Sequence, residues 1–177
     1  MEISLFEPRI PQNTGSIART CAAFDITLNL IEPLGFKLED KYLKRAGLDY
    51  WPLVKLKNYP NFSKFKESKI NKRIIAFSKK NGTYLKNFKF RNDDILLFGR
   101  EDTGLPDNVI NESDSLISIF MPNIEITKND KKGVRSLNLS VACGIAIYEA
   151  NKQINSQNGN SVLSWFKIEK CLGSSAG

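Results

Sequence analysis

The chain has 177 residues, 41% of them hydrophobic, a formal charge of +7 and no histidine. That length supports one domain, able to bury about 70% of its unfolded surface without disulfide or metal staples, and the missing histidine removes imidazole as base, proton shuttle or metal ligand. No run nears the roughly 18 apolar residues of a membrane span; Met1 is followed by Glu2 rather than a basic and apolar leader, and Cys21, Cys143 and Cys171 are odd in number and far apart, so the sequence predicts a reduced, cytoplasmic protein with no membrane segment and no metal.

"EISLFEP" reads as a short strand that Pro8 and Pro11 close before a helix with Asn13 as its N-cap. In that helix Ile17, Cys21 and Phe24 recur at helical spacing as the buried stripe. "ITLNLIEP" is a second strand ended by Pro33; "LKRAGLDY" reads as a short helix, "WPLVKL" as a strand, "NFSKFKES" as a helix and "RIIAFS" as a strand. The uninterrupted apolar run Ile95 to Phe98 suits a parallel strand covered on both faces, and "SLISIF" repeats its character. A long helix follows in "GVRSLNLSVACGIAIYEANKQ", where Ala142, Cys143, Gly144 and Ala146 permit close approach by another backbone. "NSQNGNS" (Asn155 to Ser161) reads as a linker, the segment holding Val162 to Ile168 as a possible amphipathic helix, and the closing "GSSAG" as disordered. Alternating strands and helices predict an α/β architecture with a mostly parallel sheet flanked by helices.

Three segments carry candidate chemistry. In "NTGSIARTCAAF", Arg19 projects away from the buried stripe over small neighbours, either as an ordinary solvated arginine or as a cation over a nucleotide site. "LLFGREDTGLP" ends a buried strand at Gly99 and turns through Glu101 and Asp102, at the strand edge where ligands of parallel sheets gather. Ser136 and Asn138 can cap the long helix while its free N–H groups receive an anion. Between Lys55 and Arg91 twelve Lys or Arg face one acid, Glu67, with aromatic residues interleaved. That composition suits either a polyanion-facing surface or a solvated lysine face over buried rings. No G-x-G-x-x-G and no G-K-[ST] occurs, which argues against a dinucleotide-binding oxidoreductase and a P-loop NTPase.

Taken in order, "EPRIPQNTGSIART", "IEPLGFKLEDKYLKRAGLDYW", "LLFGREDTGLP" and "RSLNLSVACGIAIYEA" resemble the SpoU branch of the SPOUT methyltransferases, over about Ile3 to Gln153. More narrowly they are similar to the small tRNA 2′-O-methyltransferases that modify the wobble cytidine or uridine of leucine tRNAs. The resemblance implies a SPOUT methyltransferase domain over residues 1–153, a tail over 154–177, a C-terminal deep trefoil knot, a homodimer, tRNA as partner and S-adenosylmethionine as cofactor. It places the family's catalytic positions on Asn13, Arg19, Glu101, Ser136 and Asn138. It places the cofactor pocket on Phe77, Ser78, Gly99, Glu101, Ile119, Met121, Ser136 and Leu137, and substrate contacts on Arg19, Lys41, Arg45 and Tyr148. The chain departs from the family at Arg100 and Phe120, where proline is usual, and in a longer loop over residues 122–134.

On that reading the sulfonium methyl passes to a ribose 2′-oxygen. Arg19, which keeps its proton, is expected to grip the neighbouring phosphate and stabilise the developing alkoxide rather than act as base. Glu101 is expected to shape its loop by accepting backbone N–H bonds. The competing class is a non-catalytic RNA-binding protein that retains the same fold. A cysteine-nucleophile methyltransferase fits poorly, since Cys21 and Cys143 fall on apolar helical faces and no Pro-Cys loop exposes them.

Overall fold

The structure, a computed structural model, describes residues 1–38, 50–79, 82–122 and 134–157. Seven strands form one sheet: β1 (Glu2–Phe6), β2 (Thr27–Ile31), β3 (Leu56–Tyr59), β4 (Ile74–Phe77), β5 (Thr83–Tyr84), β6 (Ile95–Phe98) and β7 (Ser115–Ser118). Their spatial order is β3-β2-β1-β6-β4-β7-β5 and every pairing is parallel. Parallel strands need crossovers, and the helices that make them cover both faces of the sheet. These are α1 (Pro11–Ala23), α2 (Phe62–Glu67), α3 (Asp107–Asn111) and α4 (Leu139–Gln157).

Successive side chains of the central strands divide between two cores. Ile75, Phe77, Leu96 and Phe98 join Ile17, Ala18 and Cys21 of α1 and Cys143, Ala146, Ile147, Ala150 and Ile154 of α4 on one face. Ile74, Ala76, Ile95 and Leu97 join Phe62 and Phe65 of α2 and Val109 of α3 on the other. Each fully buried Leu, Ile or Phe contributes roughly 1.5–3 kcal/mol. The two-sided burial of β6 explains why its sequence is an unbroken apolar run.

Several expectations are corrected. Helix α1 begins at Pro11, with Ile10 at the N-cap position and no side-chain cap of its own. Proline suits a first helical position because its missing N–H has no partner there anyway; Asn13 therefore lies inside the first turn and is not the cap. Phe24 sits at the C-cap, 36% exposed, and Ala18 takes its expected place in the buried stripe. "WPLVKL" divides into a 3₁₀ turn, Trp51–Leu53, and β3, since Pro52 lacks the N–H a ladder needs. β5 and α3 were not foreseen.

The reading of Asn155 onward as a linker fails over its first residues, because α4 runs to Gln157. Ile154 is buried, and the Ser156 hydroxyl donates to the Lys152 carbonyl (2.8 Å). Most of the "LKRAGLDY" helix, the greater part of the 122–134 loop through which a knot would be threaded, and residues 158–177 lie outside the described residues.

At the amino-terminal edge of the sheet a buried charge cluster ties three elements together. The Glu2 carboxylate accepts from Lys69 (2.5 Å), Lys72 (2.6 Å) and Asn29 (2.8 Å). Burial alone would raise its pKa, but these hydrogen bonds outweigh that and hold it at about 2.

A cleft at the carboxyl edge of the sheet

Strands β4, β6 and β7 end side by side, and beyond their carboxyl ends opens a cleft of about 540 Å³, within the range of small-ligand sites. Each residue predicted for cofactor binding lines it: Phe77, Ser78, Gly99, Glu101, Ile119, Met121, Ser136 and Leu137. A Cβ placed on Gly99 would lie 2.2 Å from the Gly104 carbonyl carbon and 2.3 Å from the Leu105 nitrogen. Only glycine therefore lets the 100–104 turn fold back on the strand end, closed by reciprocal Arg100 and Gly104 backbone hydrogen bonds of 3.2 and 2.9 Å. Gly104 itself has φ of 75°, the left-handed region that favours glycine.

Glu101 holds the backbone that leads into α1. Its Oε2 accepts from the Arg9 N–H (2.8 Å), and its Oε1 accepts from the Ile10 N–H (3.2 Å) and the Asn13 amide (3.1 Å). A carboxylate at that position also answers the positive end of the helix dipole. The Asn138 amide in turn donates to Asn13 Oδ1 (3.0 Å), and Asn138 Oδ1 accepts from the Ser140 N–H (2.9 Å) and hydroxyl (2.7 Å). Asn138 is thus the N-cap of α4, as expected. One chain of hydrogen bonds, Glu101 to Asn13 to Asn138 to Ser140, pins the starts of both long helices to the turn after β6.

Arg100 folds along the rim. It makes a two-bond fork with Asp102 (2.9 and 2.7 Å) and lies 3.5 Å from Glu7. The fork holds the Asp102 carboxyl well below the usual carboxylate range. Lys79, Arg100, Asp102 and Ala142 also line the cleft and were not singled out from sequence as cofactor contacts. Alternation past β4 and the small residues opening α4 were the available signals.

Other predicted residues lie elsewhere. Arg19 is exposed on α1, its guanidinium 4.9 Å from the centre of the Tyr50 ring, and is not among the residues lining the cleft of its own chain. Tyr148, 65% exposed, borders a shallow groove of about 380 Å³ on α4 with Leu85, Gly144 and Ile145. Lys41 and Arg45 lie outside the described residues. Cys21 and Cys143 are buried; burial pushes the Cys21 thiol up to about 12 and Cys143 well above its ordinary value, so neither is a nucleophile.

The Lys55 to Arg91 segment is less positive in space than in sequence. Lys55 pairs with Asp25, Lys64 with Glu67, Lys66 with Glu112, Lys69 and Lys72 with Glu2, and Arg73 with Asp94. Lys79 and, further along, Arg135 line the cleft and have no carboxylate partner among the described residues. Also among the described residues, no group of three metal-ligating side chains converges, and no helix is long and apolar enough to cross a membrane.

A parallel α/β sheet whose carboxyl edge opens into a cleft beside a glycine-shaped turn, without a phosphate loop, is the architecture of a small-ligand-binding domain. The chain belongs to the SpoU methylase family: residues 1–148 match the SpoU rRNA Methylase family. It is 46% identical over 156 residues to a protein of Lactococcus lactis subsp. cremoris, covering 85% of this chain and 88% of that one. It is 38% identical to the tRNA (cytidine(34)-2′-O)-methyltransferase of Aeromonas hydrophila, covering 87% and 94%. A solved structure concerned with 2′-OH methylation of C/U34 on tRNA superposes with a TM-score of 0.79 at 45% identity, covering 86% of this chain and 94% of the other. The SpoU methyltransferase AviRb of Streptomyces viridochromogenes, solved with S-adenosylmethionine, shares the fold at a TM-score of 0.74 and 20% identity, covering 86% and 57%.

Proposed function

We propose that the chain transfers a methyl group from S-adenosylmethionine to the ribose 2′-oxygen of the wobble nucleotide, cytidine or uridine, of tRNA, leucine tRNAs among them, in the cytoplasm and as a homodimer. The observation that carries this reading is the cleft itself. In a chain this similar to relatives named for nucleotide 34 methylation, the residues expected to hold the methyl donor converge on one site. Those residues fit such a ligand: apolar Phe77, Ile119, Met121 and Leu137 suit a flat base, and backbone amides and carbonyls at the strand ends suit its polar edge. Bound there, S-adenosylmethionine supplies an electrophilic methyl on a sulfonium.

The protein's share is positioning. Ser136 and Asn138 stand at the mouth of the cleft, and Glu101, its oxygens occupied by three donors, fixes the turn rather than moving a proton. Arg19 grips the phosphate beside the target ribose and stabilises the alkoxide, the proton passing to phosphate or water.

Because Arg19 stands outside the cleft of its own chain, it serves the cleft of a second copy. The apolar face that a second copy would cover is Val141, Ile145 and Tyr148, exposed at helical spacing on α4. The C-terminal trefoil knot expected of the family belongs to the same reading.

The test is nucleoside mass spectrometry of tRNA after incubation with labelled S-adenosylmethionine. Label in 2′-O-methylcytidine or 2′-O-methyluridine at position 34 is expected, and calorimetric silence with the cofactor would sink the enzymatic reading in favour of RNA binding alone. Arg19→Lys should lose most turnover, because the charge survives but the fork does not. Mixing inactive Arg19→Ala and Asn138→Ala chains should restore activity that neither has by itself. No recovery would refute the shared site.

A further inference from the structure

The edge strand β5 carries surface that the proposed reaction leaves unused. Gly82 lets that strand lie against β7, because a Cβ there would stand 2.7 Å from the Leu116 carbonyl oxygen. The register sets Tyr84 opposite Ser118. Beyond Ser118, Ile119 and Met121 line the cleft while Phe120, between them, does not. Phe120 is 63% exposed, Tyr84 is 47% exposed, and their rings meet edge to face at 5.6 Å and 88°. A single exposed ring needs no explanation, but a preassembled pair beside a ligand cleft does.

We propose that Tyr84 and Phe120 form a stacking platform for the unpaired base of a nucleotide adjoining the one that enters the cleft. The proposal rests on the tRNA reading above and names a contact by which the RNA is held. Two observations select a nucleic-acid base as the occupant. Phe120 is flanked in sequence by Ile119 and Met121, both of which line the cleft, so the ring pair adjoins its rim. Two cleft cations, Lys79 and Arg135, have no carboxylate partner among the described residues. Aromatic faces beside unneutralised cations suit the two halves of a nucleotide.

The experiment uses the full-length protein, S-adenosylhomocysteine and an anticodon stem-loop carrying 2-aminopurine beside the target nucleotide, on either side in turn. Binding to the unaltered protein should quench the probe on one side. Phe120→Ala and Tyr84→Ala should each relieve that quenching and raise the KM for tRNA about tenfold, within the span of one base-aromatic stack. Cofactor affinity, measured by calorimetry, and kcat should stay unchanged, and Phe120→Trp should keep the quenching. If the unaltered protein methylates tRNA but both alanine variants leave quenching and KM as they were, the platform is wrong and the proposed function stands. Variants that shift only the self-association constant in sedimentation would likewise overturn it, assigning the rings to a contact between chains. If the unaltered protein neither binds nor methylates tRNA, the functional reading itself fails.

Discussion

Replacing Glu101 by glutamine separates a shaping role from a proton-transfer role. The carboxylate accepts from Arg9 N–H on one oxygen and from Ile10 N–H and the Asn13 amide on the other. Glutamine keeps one oxygen. Its best orientation retains the pair of bonds at Ile10 and Asn13 and turns an NH₂ group toward the Arg9 N–H, which is then left facing a donor. The loss is one charge-assisted hydrogen bond, about 2 kcal/mol, or about 1 M in the urea midpoint at the slope of a domain this size. The turn and the starts of α1 and α4 share this anchor, so part of the loss should be local. If about 1.4 kcal/mol of it falls on the cleft, affinity for S-adenosylmethionine drops about tenfold. Urea unfolding and calorimetry on Glu101→Gln test both quantities. An unchanged midpoint and affinity with turnover abolished at saturating substrates would refute the reasoning and make Glu101 the proton acceptor.

Gly99→Ala should keep the sheet but displace the 100–104 turn, because the new Cβ meets backbone and not a flexible side chain; cofactor binding is expected to fall below detection in calorimetry while circular dichroism stays native. Glu2 has a folded pKa depressed to about 2 from 4.5. Its contribution, about 3 kcal/mol, is therefore fully present above pH 4.5 and lost as pH falls toward 2, so Glu2→Gln should unfold with a shallower pH dependence across that window in urea titrations. In a Cys171→Ser background the two remaining thiols should resist alkylation at neutral pH until the protein is unfolded, since burial raises both pKa values; rapid native labelling would contradict the packing of α1 on α4.

The sheet was legible wherever burial is two-sided. Ile95 to Phe98 announces its place by apolarity alone, because a central parallel strand has no wet face. The start of α1 was misread because the Asn13 side chain bonds Glu101, 88 residues away, rather than capping the helix, a relation that no local motif encodes. β5 escaped notice because it is two residues long and exposed, held in place by the room that Gly82 leaves. The basic run from Lys55 to Arg91 looked like one surface; in space half of its cations are answered by carboxylates that include Glu2, Asp25, Asp94 and Glu112, from other parts of the chain. The residues proposed to hold the cofactor were named through family resemblance, and their convergence on one cleft follows from the ends of neighbouring parallel strands. Arg19 was legible as a side chain turned away from the buried stripe, and it stands on the outer face of α1 with its guanidinium over the Tyr50 ring.

The link from Asn13 to Asn138 joins residues 125 positions apart. Local segments can fold early, but this clasp closes only after nearly the whole polypeptide has been laid down, and closing so long a loop is entropically the hardest contact to make first. On the proposed reading, methyl-donor binding should therefore be acquired late in assembly, and a nascent or clipped chain lacking α4 should bind no donor. Donor binding thus doubles as a readout of completion, and a ribosome-stalled series of increasing length should gain it abruptly once Asn138 and the first turns of α4 have emerged.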